Sequence, residues 1–387
     1  MTLFVELHLI QNFAPSNLNR DDTGAPKDAI FGGQRRARLS SQCQKKSVRD
    51  LFKTSNLIEA EHLGTRTRHL DRLVKEELEK IGVTTTSTFN EIIKQALKKK
   101  KDKEEKETDK EDEASPEATL SYLLYISMPE VNALKDLISS HAEEIVSLSN
   151  KKKLKPTDIS KQFKSELEAL LHRSRAVDIA LFGRMLADLP QVNQDAACQV
   201  AHAISTHRVE RDFDYFTAVD DVGGPDETGA GMIGQVEFNS ATFYRYAALD
   251  VSKLLQNLQD DKELTASAIE SLIQSMVRAI PTGKQNSFAA HNLPEFIGVS
   301  LRKSPLNLAN AFERPIQPRH DKSLTEQSVA ALGEYESKLA PVYGDATDRW
   351  AHIDLTGKWQ LENSQARSSV SDLAAWVRDV VETQWGE

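Results

Sequence analysis

Between Lys27 and Arg49 the sequence sets seven cations, Lys27, Arg35, Arg36, Arg38, Lys45, Lys46 and Arg49, against a single acid, Asp28. This segment carries +6 in a 387-residue chain whose formal net charge is -9, which leaves -15 for the remainder. Clustered cations beside Gly32-Gly33 and ahead of a helix start have the chemistry of an anion site able to hold several phosphates in series. The alternative is a solvated charged face. Phosphate binding is favoured because Gln42, Lys45, Lys46 and Arg49 recur at i, i+3, i+4 and i+7, which gathers them on one stripe of a helix.

Other chemistries fail on spacing. The TGKQ run ending at Gln285 lacks the Ser/Thr of a phosphate-binding P-loop and has Arg278 where the first glycine belongs. No G-x-S-x-G nucleophile elbow occurs, and His202 and His207 stand five apart without an HExxH pattern, so both are read as structural. Cys43 and Cys198 are isolated, which suggests neither a disulfide nor a zinc site and fits a reducing cytoplasm. No cofactor or metal is expected. No apolar run approaches the roughly 18 residues that span a bilayer.

The elements that must position the stripe are legible in outline. Val5, Leu7 and Leu9 alternate with Glu6 and His8, predicting a strand over residues 3–10 with one buried face. Residues 17–41, rich in Gly, Asp and Asn, read as a long loop. Ser41 and Gln44 form a capping box ahead of Val48, Leu51 and Phe52, so a helix begins near Ser41. From 55 to 205 the apolar spacing is helical, interrupted between Lys98 and Glu113 by seven Lys and eight acids, read as a solvated linker. The stretch DVGGPDETGAGMIG holds five glycines in fourteen residues and precedes a strand over 236–246; a helix, a further strand and a C-terminal helix follow. This order is compatible with an α+β protein built on a βαββαβ core.

Several runs together are highly specific: NRDD from Asn19, KDAIFGGQRRARLSSQCQKK from Lys27, VDIALFGRM (177–185), AHAISTHRVERDFDYFTAVDD (201–221), EFNSATFYRYA (237–247) and PTGKQNSFAA (281–290). In this order they closely resemble the CasC backbone subunits of the type I-E CRISPR surveillance complex, Cascade. The resemblance implies an RRM-like (ferredoxin-like) palm over 1–58 and 243–387, a helical finger inserted at 59–205 and a glycine-rich thumb loop at 206–242. It implies an RNA-binding, non-enzymatic scaffold of antiviral defence. On this resemblance, copies would stack head to tail along one CRISPR RNA, beside other Cascade subunits, and would meet target DNA through the guide, with no membrane partner expected.

The resemblance also implies contacts to the RNA backbone at Arg20, Lys27, Ser40, Gln42, Lys45, Lys46 and Arg49, with Lys284 a weaker candidate that an ordinary surface turn explains as well. Ile233, with Met232, would wedge against a base at each subunit junction, and Met185 would support the displaced base. Tyr215 and Phe216 fall at the aromatic pair of the thumb base, where plain core packing is the alternative. Lysines 151, 152, 153, 155, 161 and 164 form a second basic cluster; Lys161 and Lys164 are its candidates for guiding DNA, against a solvated helix face. Related backbone subunits of type III complexes cut RNA with an aspartate in a comparable loop, so Asp21 or Asp22 defines the alternative, a target-RNA endonuclease.

Overall fold

In the computed structural model, which describes residues 3–83, 85, 87–97, 123–151, 153–171, 175–185, 192–218 and 232–386, the first strand, β1, runs Phe4–Ser16, well past its expected end. Both of its faces are buried: Val5, Leu7 and Leu9 on one, Glu6 and His8 on the other. The expectation of a half-exposed strand is corrected here, because the polar face is closed over by its own hydrogen bonds. The Glu6 carboxylate accepts from Ser300 Oγ at 2.7 Å, Leu306 N at 2.6 Å and the Tyr246 hydroxyl, and pairs with Arg302 at 3.0 Å. His8 Nδ1 lies 2.9 Å from the Tyr244 hydroxyl.

The segment read as one loop contains a hairpin, β2 (Asp28–Phe31) and β3 (Gln34–Leu39). Gly32 and Gly33 form its two-residue turn at φ +57° and +73°, the conformation that a twisted hairpin requires. α1 (Ser41–Thr54) is capped by Ser40, one residue before the expected Ser41. Next come β4 (Gly64–Thr67), α2 (Leu70–Leu73), α3 (Lys75–Lys80), α4 (Ser87–Ala96), β5 (Leu124–Ser127), α5 (Met128–Ser140), α6 (Ala142–Ser149), α7 (Lys161–Leu171) and α8 (Val177–Phe182). The chain continues through β6 (Cys198–Val200), β7 (Ala203–Ser205), β8 (Asp212–Ala218), β9 (Met232–Asp250), α9 (Val251–Asn257), α10 (Lys262–Arg278) and α11 (Gln285–Phe288). It ends with β10 (Phe296–Arg302), α12 (Leu324–Tyr343), β11 (Arg349–Asp354), β12 (Ser364–Ala366) and α13 (Val370–Gly386).

Contacts divide this α+β chain into two units. The first, Met1–Leu57 with Cys198–Ser252 and Glu263–Glu387, holds one sheet in the order β12-β11-β10-β1-β9-β7-β3-β2, with β6 and β8 also on β9. β1 lies between β9 and β10 and is antiparallel to both. β6 and β7 fall within the range expected for the helical insertion, yet they pair with β9 in this sheet. Tyr244, Phe296, Trp350 and Trp359 fill one side of it with Val329 and Leu332 of α12.

The second unit, Ile58–Ala197 with Lys253–Lys262, is mostly helical, around Leu78, Phe89, Ile92, Val131, Leu134, Phe163 and Leu167. It also contains the antiparallel pair β4-β5, which helical spacing did not indicate. The charged run at 98–113, Lys152 and the glycine-rich segment 219–231 lie outside the described residues. No described helix is long and apolar enough to cross a membrane.

Candidate nucleic-acid interface

In the first unit, the chain leaving β1 folds back on itself before β2. The Asp21 carboxylate accepts from Thr23 N at 3.0 Å, Thr23 Oγ1 at 2.7 Å and Ala25 N at 3.0 Å, a side-chain-closed turn. The Thr23 hydroxyl, followed by the N–H groups of Ala25 and Thr23, holds this carboxyl below its ordinary pKa. Asn19 Oδ1 accepts from Ser40 N at 2.8 Å, and Lys27 N donates to Asn19 O at 2.8 Å. Asn17 Nδ2 donates to Gly24 O at 2.9 Å and to Glu237 O of β9 at 2.8 Å. The loop is thus pinned to the start of α1 and to β9, with Arg20 exposed and Lys27 half-buried on it.

α1 packs through Gln44, Val48 and Phe52. Ser40 Oγ accepts from Cys43 N at 3.3 Å, and no acid lies in the first turn, which leaves the positive helix terminus unopposed by its own sequence. Gln42 and Lys46 are exposed, Lys45 and Arg49 half-buried, and Lys46 pairs with Asp50.

The seven cations of this segment do not form one surface. Arg36 is buried, donating to the carbonyls of Ser205 at 2.9 Å, Phe312 at 2.8 Å and Glu313 at 3.1 Å. Arg35 pairs with Asp28, whose carboxylate also holds Arg211 at 2.7 Å. Arg38 reaches His202 Nδ1 at 2.9 Å.

The TGKQ turn joins the same surface. A Cβ on Gly283 would come within 2.4 Å of Leu18 O and 2.8 Å of Asn17 O, so the two backbones touch. Lys284 is half-buried in a left-handed conformation at φ +51°, uncommon for a side chain of this size. Gln285 Nε2 closes the turn on Pro281 O at 3.0 Å, and Phe288 lies 5.5 Å from Phe238 of β9, centroid to centroid.

β8 and the first part of β9 form an antiparallel ribbon, where a loop had been expected. Phe213 and Tyr215 share one face of β8 and are 53% and 69% exposed. Phe216, on the other face, lays its ring over Gly234, where a Cβ would meet it at 2.2 Å. Neither ring of the Tyr215-Phe216 pair is buried in the core of this chain. Ile233 pairs with Thr217 through the backbone; the side chains of Met232 and Ile233 are outside those described.

In the second unit, Arg184, which follows Gly183 (φ +80°), forms a tight bridge with Gln194 through two N–H to O bonds of 2.9 Å. The buried Arg184 guanidinium donates to Glu130 at 2.7 Å, Tyr125 O at 3.2 Å and the Leu171 carbonyl. Met185, the next residue, is 82% exposed at the rim of a cavity of about 540 Å³ lined also by Arg66, Leu123 and Tyr125, with Arg66 stacked 4.6 Å over the Tyr125 ring. Lys161 is exposed on α7, whereas Lys164 caps the Pro156 carbonyl and Lys151 pairs with Asp158 at 3.0 Å.

Sequence reasoning counted Arg38 only as one of the seven cations, with no sign of its His202 partner, and passed over Phe213 and Arg184. Phe213 had a signal, its period-2 spacing with Tyr215; the other two had only neighbours distant in sequence.

The family model described as CT1975-like protein matches residues 5–377. The chain is similar to one in a structure titled "CRISPR RNA-guided surveillance complex, pre-nicking", with 29% identity, a TM-score of 0.82, and coverage of 97% of this chain and 99% of that one. A chain from a structure titled "CRISPR RNA-guided surveillance complex" shares its fold at a TM-score of 0.71 and 24% identity, again over 97% and 99%. No curated protein matches the chain. With nearly its whole length matched by that family model, this chain belongs to the CT1975-like family.

Proposed function

We propose that this protein is the CRISPR RNA-binding backbone subunit of a type I-E Cascade, a scaffold of antiviral defence that holds the guide by its sugar-phosphate backbone. The observation that carries the reading is the convergence, in the first unit, of Arg20, Lys27, the Ser40-capped start of α1 and the TGKQ turn on one hydrogen-bonded surface. Such a surface grips phosphate and ribose and leaves base edges to the target. The similarity to chains of RNA-guided surveillance complexes points the same way.

The first unit corresponds to an RRM-like palm. The order β10-β1-β9-β7, with α1 between β1 and β7 in sequence and α10 between β9 and β10, supports that reading. The second unit corresponds to the finger, and the β8-β9 ribbon carries the thumb. Copies stack head to tail, the thumb of one kinking the RNA where Met185 of the next supports the displaced base. Lys161 is the better placed of the two finger lysines to meet DNA.

The chain does not cut RNA in this reading. Asp21 Oδ1 is taken up by three local hydrogen bonds, which gives that carboxylate a turn-closing role. The deciding experiment isolates the nucleic acid that co-purifies with the assembled complex. A discrete RNA of repeat and spacer composition is expected. Periodic cleavage of complementary RNA with divalent metal, abolished by Asp21→Ala or Asp22→Ala, would replace the scaffold with a nuclease.

A further inference from the structure

His202 is exposed at the turn between β6 and β7, between Ala201 and Ala203, the latter paired with Leu39 of β3. Ala201 N donates to Tyr246 O at 2.9 Å, and Ala201 O accepts from Gln44 Nε2 of α1 at 2.9 Å. Arg38 Nη1 lies 2.9 Å from His202 Nδ1. A guanidinium only donates, so Nδ1 must be the acceptor and the ring is neutral, with its proton on the outward Nε2. Arg38 is itself held, Nε donating to Asp28 O at 3.1 Å.

The charges around the ring are mostly cationic. Arg38 stands on β3 and Lys27 precedes β2; partial burial, then Arg38, then Lys27 push the His202 pKa below its ordinary value. On α1, Lys45 lies near enough to act on Cys198, and on β9 Arg245 is buried against Gln11 and Gln44. Asp28, the acid of the adjoining strand, gives its carboxylate to Arg35 and Arg211 and only its carbonyl to Arg38. A neutral ring that accepts from a cation, beside a second cation, is arranged for an anion to enter.

We propose that Arg38 and His202 form a phosphodiester-binding pair in which a phosphate oxygen takes over the Arg38 N–H, and the released Nδ1 takes up a proton from solvent. One N–H···N bond is exchanged for an N–H···O bond, and the protonated ring adds a second donor to the same phosphate. The pair extends the surface of Lys27 and α1, and its occupant rests on the RNA reading above. RNA binding by this protein is thereby coupled to proton uptake.

The sign follows from linkage. An anion that raises the pKa of His202 binds more tightly below the bound-state pKa, and the gain disappears as pH rises through it. A rise of about one unit on binding gives an affinity gain of about tenfold at low pH. The test measures anisotropy of a labelled polyuridine oligonucleotide with the full chain at about pH 8 and about pH 5.5, across the histidine range, at constant ionic strength. The wild type should tighten several-fold more than His202→Gln, an exposed substitution that leaves the fold intact by circular dichroism.

A proton spectrum of the His202 ring, assigned by its loss in His202→Gln, should show its pKa rising on RNA addition. In Arg38→Gln without RNA, the ring should titrate nearer its ordinary value. Equal pH dependence in wild type and His202→Gln, or a ring pKa unmoved by bound RNA, overturns the coupling while RNA binding stands. No RNA binding at either pH overturns the RNA reading and the coupling together.

Discussion

Glu130 and Arg184 form an ion pair at 2.7 Å in which both side chains are almost wholly buried, 54 residues apart in sequence. Glu130 also closes the capping box of α5, its second oxygen accepting from Ser127 N at 2.7 Å and Ser127 Oγ at 2.8 Å. The pair therefore ties the start of α5 to the bridge that presents Met185. Arg184→Leu leaves a carboxylate buried without its counter-charge, and a loss of about 3–5 kcal/mol is expected. Urea unfolding checks this, and in the double variant with Glu130→Leu the two losses should not add.

Gly283 has no room for a methyl group against Leu18 O. Gly283→Ala must push the TGKQ turn off the loop that carries Arg20. RNA affinity should fall at least several-fold with a modest change in melting temperature, because the turn lies at the surface. Filter binding beside calorimetry separates the two effects.

Lys45 and Arg49 lie half-buried on the polar stripe of α1. Reversing both to Glu should abolish assembly on RNA. Lys45→Gln alone should lower the slope of log affinity against log salt by about 0.7, the value for one phosphate contact on a single strand. An unchanged slope would remove Lys45 from the phosphate path.

Tyr215 is largely exposed on the ribbon. Tyr215→Ala and Phe213→Ala should each change stability by no more than about 0.5 kcal/mol, as surface substitutions do. Both should weaken the build-up of copies along RNA, which native mass spectrometry reads as shorter assemblies.

The buried polar layer around β1 sets the response to acid. Burial acts to raise the Glu6 pKa, but the His8 ring 3.9 Å away and hydrogen bonds from Tyr246 and Ser300 prevail and hold it below its ordinary value. Its contribution is present above the unfolded carboxyl value and is lost as pH falls through the folded one. His207, buried with its pKa lowered mainly by desolvation, adds an earlier decline that starts below about pH 6.5. The urea midpoint should fall in two stages on acidification, and Glu6→Gln should flatten the lower stage while costing stability at neutral pH.

The legibility of this chain in its sequence was uneven for physical reasons. The α1 stripe was readable because helical spacing makes neighbours of Gln42, Lys45, Lys46 and Arg49. Charge counting misread Arg36, because nothing local shows that a cation will point inward to three carbonyls from distant segments. The β2-β3 hairpin had its signal in Gly32-Gly33 between two short runs, obscured by the polar residues on either side. Glu6 and His8 looked solvent-facing since alternation reports polarity, and only Arg302, Ser300 and Tyr246, hundreds of residues away, make that polarity an interior one.

β9 runs without a break from the ribbon, where it pairs with β8, into the middle of the sheet, where it pairs with β1 along most of the latter's length. Ladder hydrogen bonds lie across the strands, so a pull on the ribbon along β9 loads many of them side by side in shear instead of opening them one at a time. The ribbon is mechanically a tang driven into the sheet. Tension on whatever it grips would be borne by the whole ladder before any single bond yielded.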